Sequence, residues 1–396
     1  MNRHFIILSL VVLLSACASS PQSPSQKYDM KDGLADYHQG DFSQALKKFK
    51  VGAEKGVASA QYFLGVMYYE GQGVQQNYGD AAKWYRLAAE QGDASAQNNL
   101  GFLFKRGDGV PRDYSQAVRW FRLAADQGNA TAQNNLGEMY SSGLGVAQDY
   151  PEAVKWYRLA ASQGLDMAQY SLATMYDSGL GVAKNPVEAN KLYRLAADQG
   201  NAAAQCALAL GYALGLSVPQ DYSEAVRWLR LAAEQGLASA QYYLGFMYRH
   251  GHGVPQDYLE AAKWYRLSAD QGNALAQSSL GILFLGGDGV PRDYKQALKW
   301  IKFAAIQGEP LAISTLGDMY VNGIGVEKNN IVAYALYSRS STVDSSVTGR
   351  NALGSRNKLS LSMSTSEIES AQKLCSDLGE PGNFNSAIDL IVKSKK

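Results

Sequence analysis

Cysteine is scarce in this chain, with three in 396 residues, and so small a number cannot build a disulfide framework. Four histidines leave little material for a metal cage. An excess of one charge is missing too. Lys and Arg number 37 against 36 Asp and Glu, so the electrostatic footprint of a nucleic-acid binder or a polybasic membrane-docking protein is absent. The one apolar run near the start, Phe5 to Leu14, is too short to span a bilayer. What the chain does have is 46% hydrophobic residues with only 18% charged ones, too apolar for a disordered protein and too long for a single ordinary core. Several domains or a repeat array are expected. Glycine (39) and tyrosine (25) are in excess, and both recur at a fixed period.

The first residues have the organisation of a secretory signal: Arg3 as a positive n-region, Phe5 to Leu14 as the apolar stretch, then small residues ahead of Cys17. Leu14-Ser15-Ala16-Cys17 resembles a bacterial lipobox. That resemblance implies removal of residues 1–16 and lipid attachment at Cys17, with 17–36 as a Ser/Pro-rich tether. Several acyl chains on one cysteine would make attachment effectively permanent. Ala18 and Ser19 lack the acidic residue that retains such lipoproteins at the inner membrane, so the outer membrane is the expected address. Whether the chain would face the periplasm or be displayed on the cell surface stays open.

Glycine recurs at Gly56, Gly92, Gly128, Gly164, Gly200, Gly236, Gly272 and Gly308, every 36 residues. Alanine keeps the same period from Ala60 to Ala312, and all six tryptophans (Trp84, Trp120, Trp156, Trp228, Trp264, Trp300) share one slot, filled by Leu192 in the remaining middle unit. Each unit reads as two helices. Ala60, Leu64, Met67 and Tyr68 make an apolar stripe in the first; Ala81, Trp84, Tyr85 and Ala88 make one in the second. Asn77 or an aspartate opens the second helix, with an acid three positions on (Asp149 with Glu152, Asp221 with Glu224, Asp257 with Glu260), which predicts capping boxes. The Gly92 register supplies the left-handed stop, and Gly71-Gln72-Gly73-Val74 a tight reversal. Gly65, Gly101, Gly137, Gly245, Gly281 and Gly317 sit mid-helix, where glycine costs about 1 kcal/mol relative to alanine, so a close helix-helix approach is expected there. Short helices are marginal alone, so each pair must bury its stripe against the next. The fold expected is all-α, an α-solenoid of about eight 36-residue helix-turn-helix repeats.

The pattern Ala60…Leu64-Gly65…Tyr68…Gly71-x-Gly73-Val74…Tyr78…Ala81…Trp84-Tyr85…Ala88-Ala89-Glu90-Gln91-Gly92 resembles the Sel-one-like repeat, a relative of the tetratricopeptide repeat, whose solenoids are right-handed. It covers 57–340, after a half-repeat at 37–56. A linker at 341–349 and helical capping segments at 350–396 follow, the last with the capping box Ser364-Thr365-Ser366-Glu367. The fifth unit departs from the pattern, with Gly211 in the Met/Leu slot, Ser217 for a loop glycine, and Cys206. Looser packing or a bend is expected there.

Signals of chemistry are few. Ser355-x-x-Lys358 and Ser370-x-x-Lys373 match an element of penicillin-recognising enzymes, but neither Ser-Asp-Asn nor Lys-Thr-Gly accompanies them. A cysteine-rich branch of the repeat family has been linked to penicillin binding, and this chain lacks its paired cysteines. No enzyme, no cofactor and no metal site is expected, because nucleophile, base and orienting group do not assemble. His250 and His252 offer two ligands where a structural zinc needs four, so a solvated loop is the reading. Two basic rows run along the second helices, from Lys83 with Arg86 to Lys299 with Lys302, but acids three or four residues away favour a self-neutralised face.

Variable positions mark where units specialise. On the first helices Tyr62, Asn98, Asn99, Asn134, Asn135, Tyr170 and Tyr242 either line a concave partner-binding face, through amide hydrogen bonds and rigid rings, or pack between units. The resemblance implies an adaptor role. The function expected is a protein-protein interaction scaffold anchored to the bacterial envelope through lipid. Its partners would be envelope-assembly components, with no nucleic acid. The alternatives are a surface-displayed virulence factor binding a host glycoprotein and, behind it, a β-lactam-binding hydrolase.

Overall fold

The computed structural model describes residues 24–380 and 382–394, and among these there are twenty-one α-helices and no strand. The chain opens with a helical hairpin, α1 (Pro24–Gln39) and α2 (Phe42–Glu54). Eight repeats follow. Their first helices are α3 (Ala58–Glu70), α5 (Ala94–Arg106), α7 (Ala130–Ser142), α9 (Asp166–Ser178), α11 (Ala202–Leu214), α13 (Ala238–His250), α15 (Ala274–Gly286) and α17 (Pro310–Asn322). The second helices are α4 (Tyr78–Glu90), α6 (Tyr114–Asp126), α8 (Tyr150–Ser162), α10 (Pro186–Asp198), α12 (Tyr222–Glu234), α14 (Tyr258–Asp270), α16 (Tyr294–Ile306) and α18 (Asn330–Val343). Three helices close the chain: α19 (Val347–Ser360), α20 (Thr365–Asp377) and α21 (Phe384–Ser394). Packing divides the helices into two compact units, α1–α9 and α10–α21. Within each unit the pairs stack side by side as a solenoid.

Each helix is punctuated as the sequence predicts, with one correction. Second helices start at an Asn or Asp that accepts from the backbone three positions on, as in Asp80 N–H to Asn77 and Glu152 N–H to Asp149 at 2.9 Å. The reciprocal half of the capping box is absent from Asp149, Asp221 and Asp257. Their own N–H groups donate instead to Tyr140, Tyr212 and Tyr248 carbonyls of the preceding first helix, at 3.0, 3.0 and 2.9 Å. That bond ties the two helices of a repeat together and frees the glutamates for other partners. A complete box forms at Ser364 and Glu367.

The mid-helix glycines are places of contact. A β-carbon at Gly65 would stand 2.6 Å from the Tyr85 ring, and one at Gly137 2.7 Å from the Tyr157 ring, so the aromatic of the second helix lies flush on the backbone of the first. The propensity lost in glycine is returned as ring burial. In the fifth repeat the packing is loose. A β-carbon at Gly211 would meet no heavy atom closer than 3.6 Å, Leu214 is 65% exposed, and Ser217 holds φ +63°, the one non-glycine with positive φ among the described residues.

Two boundaries move. The segment 17–36 expected as tether is helical from Pro24, so 37–56 is not a lone half-repeat but part of the α1–α2 hairpin. Met30 and Tyr37 are buried, and Tyr37 and Phe49 rings pack on Phe63 with centroids 5.8 and 5.1 Å away. Too few apolar residues fall in α1 for its stripe to stand out in sequence. The linker expected at 341–349 shrinks to residues 344–346, because α18 runs on to Val343 and Ser346 caps α19. At the C-terminus Ile331 to Tyr337 are buried all round the helix, since Ala371 packs with Ile331 and Tyr334 on one side while Leu374, Leu378 and Phe384 join the core of Leu316 and Leu336 on the other. The cleavage site and Cys17 lie outside the described residues.

Candidate functional site

A first helix in a stacked array is enclosed on three sides: by its own second helix, by the second helix of the repeat before, and by side chains of the neighbouring first helices. The stripe opposite its main apolar face is therefore enclosed as well. Tyr62, Asn98, Asn134 and Asn135 sit in that stripe and are buried, Tyr62 and Asn134 at 4% exposure. Asn135 donates to Asn98 across repeats at 2.9 Å, and Asn98 donates to Asn99 at 3.2 Å, so these amides join α5 to α7. Tyr62 meets Phe63 edge-on and lies tilted on Tyr85, and burial, with Asp93 and Tyr37 adding to it, drives its hydroxyl pKa well above the ordinary value. These four do not lie on an open surface. Asn99, Tyr170 and Tyr242 are half-buried at its edge, with the Tyr242 ring tilted on Tyr265 at 5.8 Å.

A buried glutamine that sequence reasoning passes over does the same work at most joins within a unit, giving way to Ile313 in the eighth repeat. Gln97 donates to the Ala89 carbonyl at the end of α4 (3.0 Å) and accepts from Gln127 of its own repeat (2.7 Å). Gln61, Gln133, Gln205, Gln241 and Gln277 repeat the arrangement. The signal was present as the recurring Gln ahead of the variable pair in successive repeats. Its polarity drew attention away, because an amide beside a helical apolar stripe suggests solvent.

What remains open on a first helix is a narrow arc at positions i, i+7 and i+11. In α13 these are Ser239, Phe246 and His250; in α11, Ala203, Leu210 and Leu214; in α15, Leu275, Ile282 and Gly286; and Leu311 begins the arc of α17. Leu214, Phe246, Leu275 and Leu311 are all exposed. The corresponding arcs of the first unit carry Phe102 under the Arg106 guanidinium (5.6 Å), and Glu138 in an ion pair with Lys105 (2.7 Å). The second unit's arc is thus mainly apolar from α11 to α15 and turns polar in α17 at Asp318 and Asn322, while the first unit's is mixed. His250 and His252 border the apolar arc. The Phe246 ring lies 4.3 Å from His250, and Tyr222 stacks on His252 at 4.7 Å. Burial, with Arg249 and His252 adding to it, holds the His250 imidazole below its ordinary range. No group of three or more His, Cys, Asp or Glu able to hold a metal occurs among the described residues.

The second helices present the basic rows. Lys83, Lys155, Lys191, Arg227 and Lys263 pair with Asp80, Glu152, Glu188, Glu224 and Glu260 three residues earlier. In the other row Arg158 and Arg230 donate to Tyr176 and Tyr248 of the next first helix at 2.9 Å each, and Arg122 to Tyr140. The Ser-x-x-Lys elements form no such unit: Ser370 donates to its own helix at the Ser366 carbonyl (2.8 Å). Cys206 and Cys375 are free thiols. No helix among the described residues is long and apolar enough to cross a membrane.

Two solved structures resemble the chain along much of its length. One is a protective antigen of uropathogenic Escherichia coli strains displaying an SLR fold, 33% identical, with TM-score 0.55 over 93% of this chain and 86% of that one. The other is a Sel1 repeat protein from Oxalobacter formigenes, 34% identical, with TM-score 0.57 over 62% of this chain and 96% of that one. No curated protein matches the chain. The Sel1 repeat matches eight consecutive segments, 58–93, 94–129, 130–165, 166–201, 202–237, 238–273, 274–309 and 310–342. Those limits follow the helix pairs described above, each match opening with a first helix and the first seven closing just past the left-handed glycine. A fold of this kind is typical of protein-protein interaction scaffolds, and the chain belongs to the Sel1 repeat family.

Proposed function

We propose that this chain holds protein partners on the first-helix arc of its second unit, with Tyr242 as a secondary edge contact. The observation that carries the reading is the exposed apolar arc of Leu214, Phe246, Leu275 and Leu311, the large apolar side chains that the repeats' first helices leave exposed among the described residues. Apolar surface left open and rimmed by polar groups marks an interaction site. Photocrosslinking from a probe amino acid at Phe246 in living cells, followed by identification of the adduct, tests it. A discrete protein adduct that disappears when Leu214 and Leu275 are changed to serine is the expected result. Crosslinking to solvent alone would refute it.

The same reading places the chain at the outer membrane through a lipid on Cys17, supported by the apolar stretch and small residues ahead of that cysteine. Cells fed labelled palmitate are expected to label the wild-type chain and not Cys17→Ser. A periplasm-facing scaffold for envelope assembly is the primary form of the proposal. Display on the cell surface is the second form, favoured by the likeness to a protective antigen, since an antigen must be reachable by antibody. Protease added to the same intact cells cuts the labelled chain only if it is displayed.

A further inference from the structure

Two tryptophans among the described residues, Trp120 and Trp300, have a buried indole N–H that meets no acceptor. Their counterparts in other repeats do: Trp156 donates to Glu152 at 2.8 Å and Trp228 to Glu224 at 2.9 Å. In both cases the acceptor is the acid one turn earlier, which at the same time pairs with Lys155 or Arg227. In the second and seventh repeats that position is Gln116 and Gln296. The chain itself shows which group suits this place, because the other four repeats that carry the tryptophan fill it with a carboxylate, Asp80, Glu152, Glu224 and Glu260.

The seventh repeat carries the difference furthest. Helix α16 reads Tyr-Lys-Gln-Ala-Leu-Lys-Trp-Ile-Lys-Phe-Ala-Ala-Ile and contains no acid. Among the described residues, Lys295, Lys299 and Lys302 enter no ion pair, and neither does Arg266 of α14. The Arg266 guanidinium lies 5.1 Å from the Trp300 ring centroid and the Lys299 ammonium 5.2 Å. Phe303 and Ile306 are exposed alongside, with Phe303 in edge contact with Trp300 at 5.8 Å. At the same register of the fifth repeat, α12 borders an open groove of about 360 Å3 lined by Val226, Arg227, Leu231 and Val254. Two cations over one ring, two further lysines on the same helix and an unused buried donor, beside exposed apolar side chains, are complementary to an acidic segment with interspersed apolar residues.

We infer that α16 docks an acidic peptide segment of a protein partner, one of whose carboxylates accepts from Trp300 Nε1 between Lys299 and Arg266, in the role Glu224 plays within its own repeat. The group that must yield on entry is Gln296, whose side chain makes no hydrogen bond. This rests on the scaffold reading above and gives it a second surface, on the second helices, with a defined chemistry.

The informative variant is Gln296→Glu. It installs the carboxylate that the third and fifth repeats already carry, so the helix is expected to fold as before, with a thermal midpoint no lower than wild type. The probe is a short fluorescein-labelled peptide of Glu-Glu-Leu triplets, followed by polarisation on the full-length chain. Wild type is expected to bind with an affinity that weakens as salt rises, and Gln296→Glu and Lys299→Glu to weaken it about tenfold or more, while Lys83→Gln in the first unit leaves it unchanged. Equal binding by wild type and Gln296→Glu overturns the proposal. So does binding of phosphatidylglycerol vesicles in place of the peptide, or sedimentation showing that a second copy of the chain covers α16. A partner crosslinked at Phe246 that survives Gln296→Glu while the peptide ignores the substitution would sink this site and leave the scaffold standing.

Discussion

Gly109→Ala is expected to destabilise the protein by about 3 kcal/mol or more, whereas Gly92→Ala costs only about 1–2 kcal/mol, the ordinary penalty of a side chain in the left-handed region. Both glycines have positive φ, +69° and +92°. The difference is what a β-carbon would meet. At Gly92 there is nothing within 4 Å. At Gly109 the new carbon would stand 2.2 Å from the Tyr78 carbonyl carbon and 2.3 Å from its oxygen. These atoms are backbone at the start of α4, so no rotamer change relieves the overlap, and the loop of one repeat must lift from the second helix of the repeat before it. The same approach recurs at Gly145, Gly181, Gly253 and Gly289, each within 2.4 Å of a helix-start carbonyl. Urea unfolding of the two variants checks the contrast. Equal losses would mean that the loop is not held against Tyr78. The fifth repeat shows the alternative, because Ser217 stands in this slot and the neighbouring Leu214 and Leu216 are left exposed.

That contrast also shows why the repeat was legible and the surface was not. Period, helix starts and stops, and the glycine-aromatic contact follow from residues whose demands are local: a cap accepts from a backbone three positions on, a left-handed turn needs glycine, and a ring needs a flat backbone to lie on. These requirements are written in the chain at fixed spacing. The exposed arc depends on how many neighbours a helix acquires, which no single helix encodes. A two-sided helix would have left Tyr62, Asn98 and Asn134 facing outward; a three-sided one encloses them and opens Phe246 and Leu275 instead. The asparagines differ from repeat to repeat, and Asn98, Asn99 and Asn135 bond one another within and across repeats. The basic rows were correctly read as neutralised wherever an acid precedes the cation, and α16 is where that rule stops applying because Gln296 replaces the acid. Helix α1 was missed because a stripe built on Met30, Leu34 and Tyr37 becomes apolar only when α2 and α3 supply Phe49 and Phe63 to meet it.

Gln97→Leu is expected to cost about 2–3 kcal/mol although leucine is more apolar and of similar size. Gln97 is buried between two repeats, and its amide satisfies groups on both. The Ala89 carbonyl, one of the last in α4, accepts from the Gly92 N–H at 3.0 Å and, on its second lone pair, from Gln97 at 3.0 Å. The Gln127 amide donates to Gln97 at 2.7 Å and reaches the Leu123 carbonyl only at 3.3 Å. Leucine would remove two hydrogen bonds at once, the second donor to the buried Ala89 carbonyl and the acceptor of the Gln127 amide, with no water to replace them. Gln127→Ala makes the comparison decisive. It removes the exposed end of the same link, leaves the Gln97 bond to Ala89 intact, and is expected to cost about 1 kcal/mol or less. Hydrogen exchange on the two variants separates a local from a global effect: faster exchange at the end of α4 and the start of α5 in Gln97→Leu, with α7 to α9 unchanged, is the pattern of an array whose repeats hold one another only through nearest-neighbour joins. If Gln97→Leu unfolds at the same urea concentration as wild type, the repeats are held by apolar packing alone and the glutamine ladder contributes nothing to their cohesion.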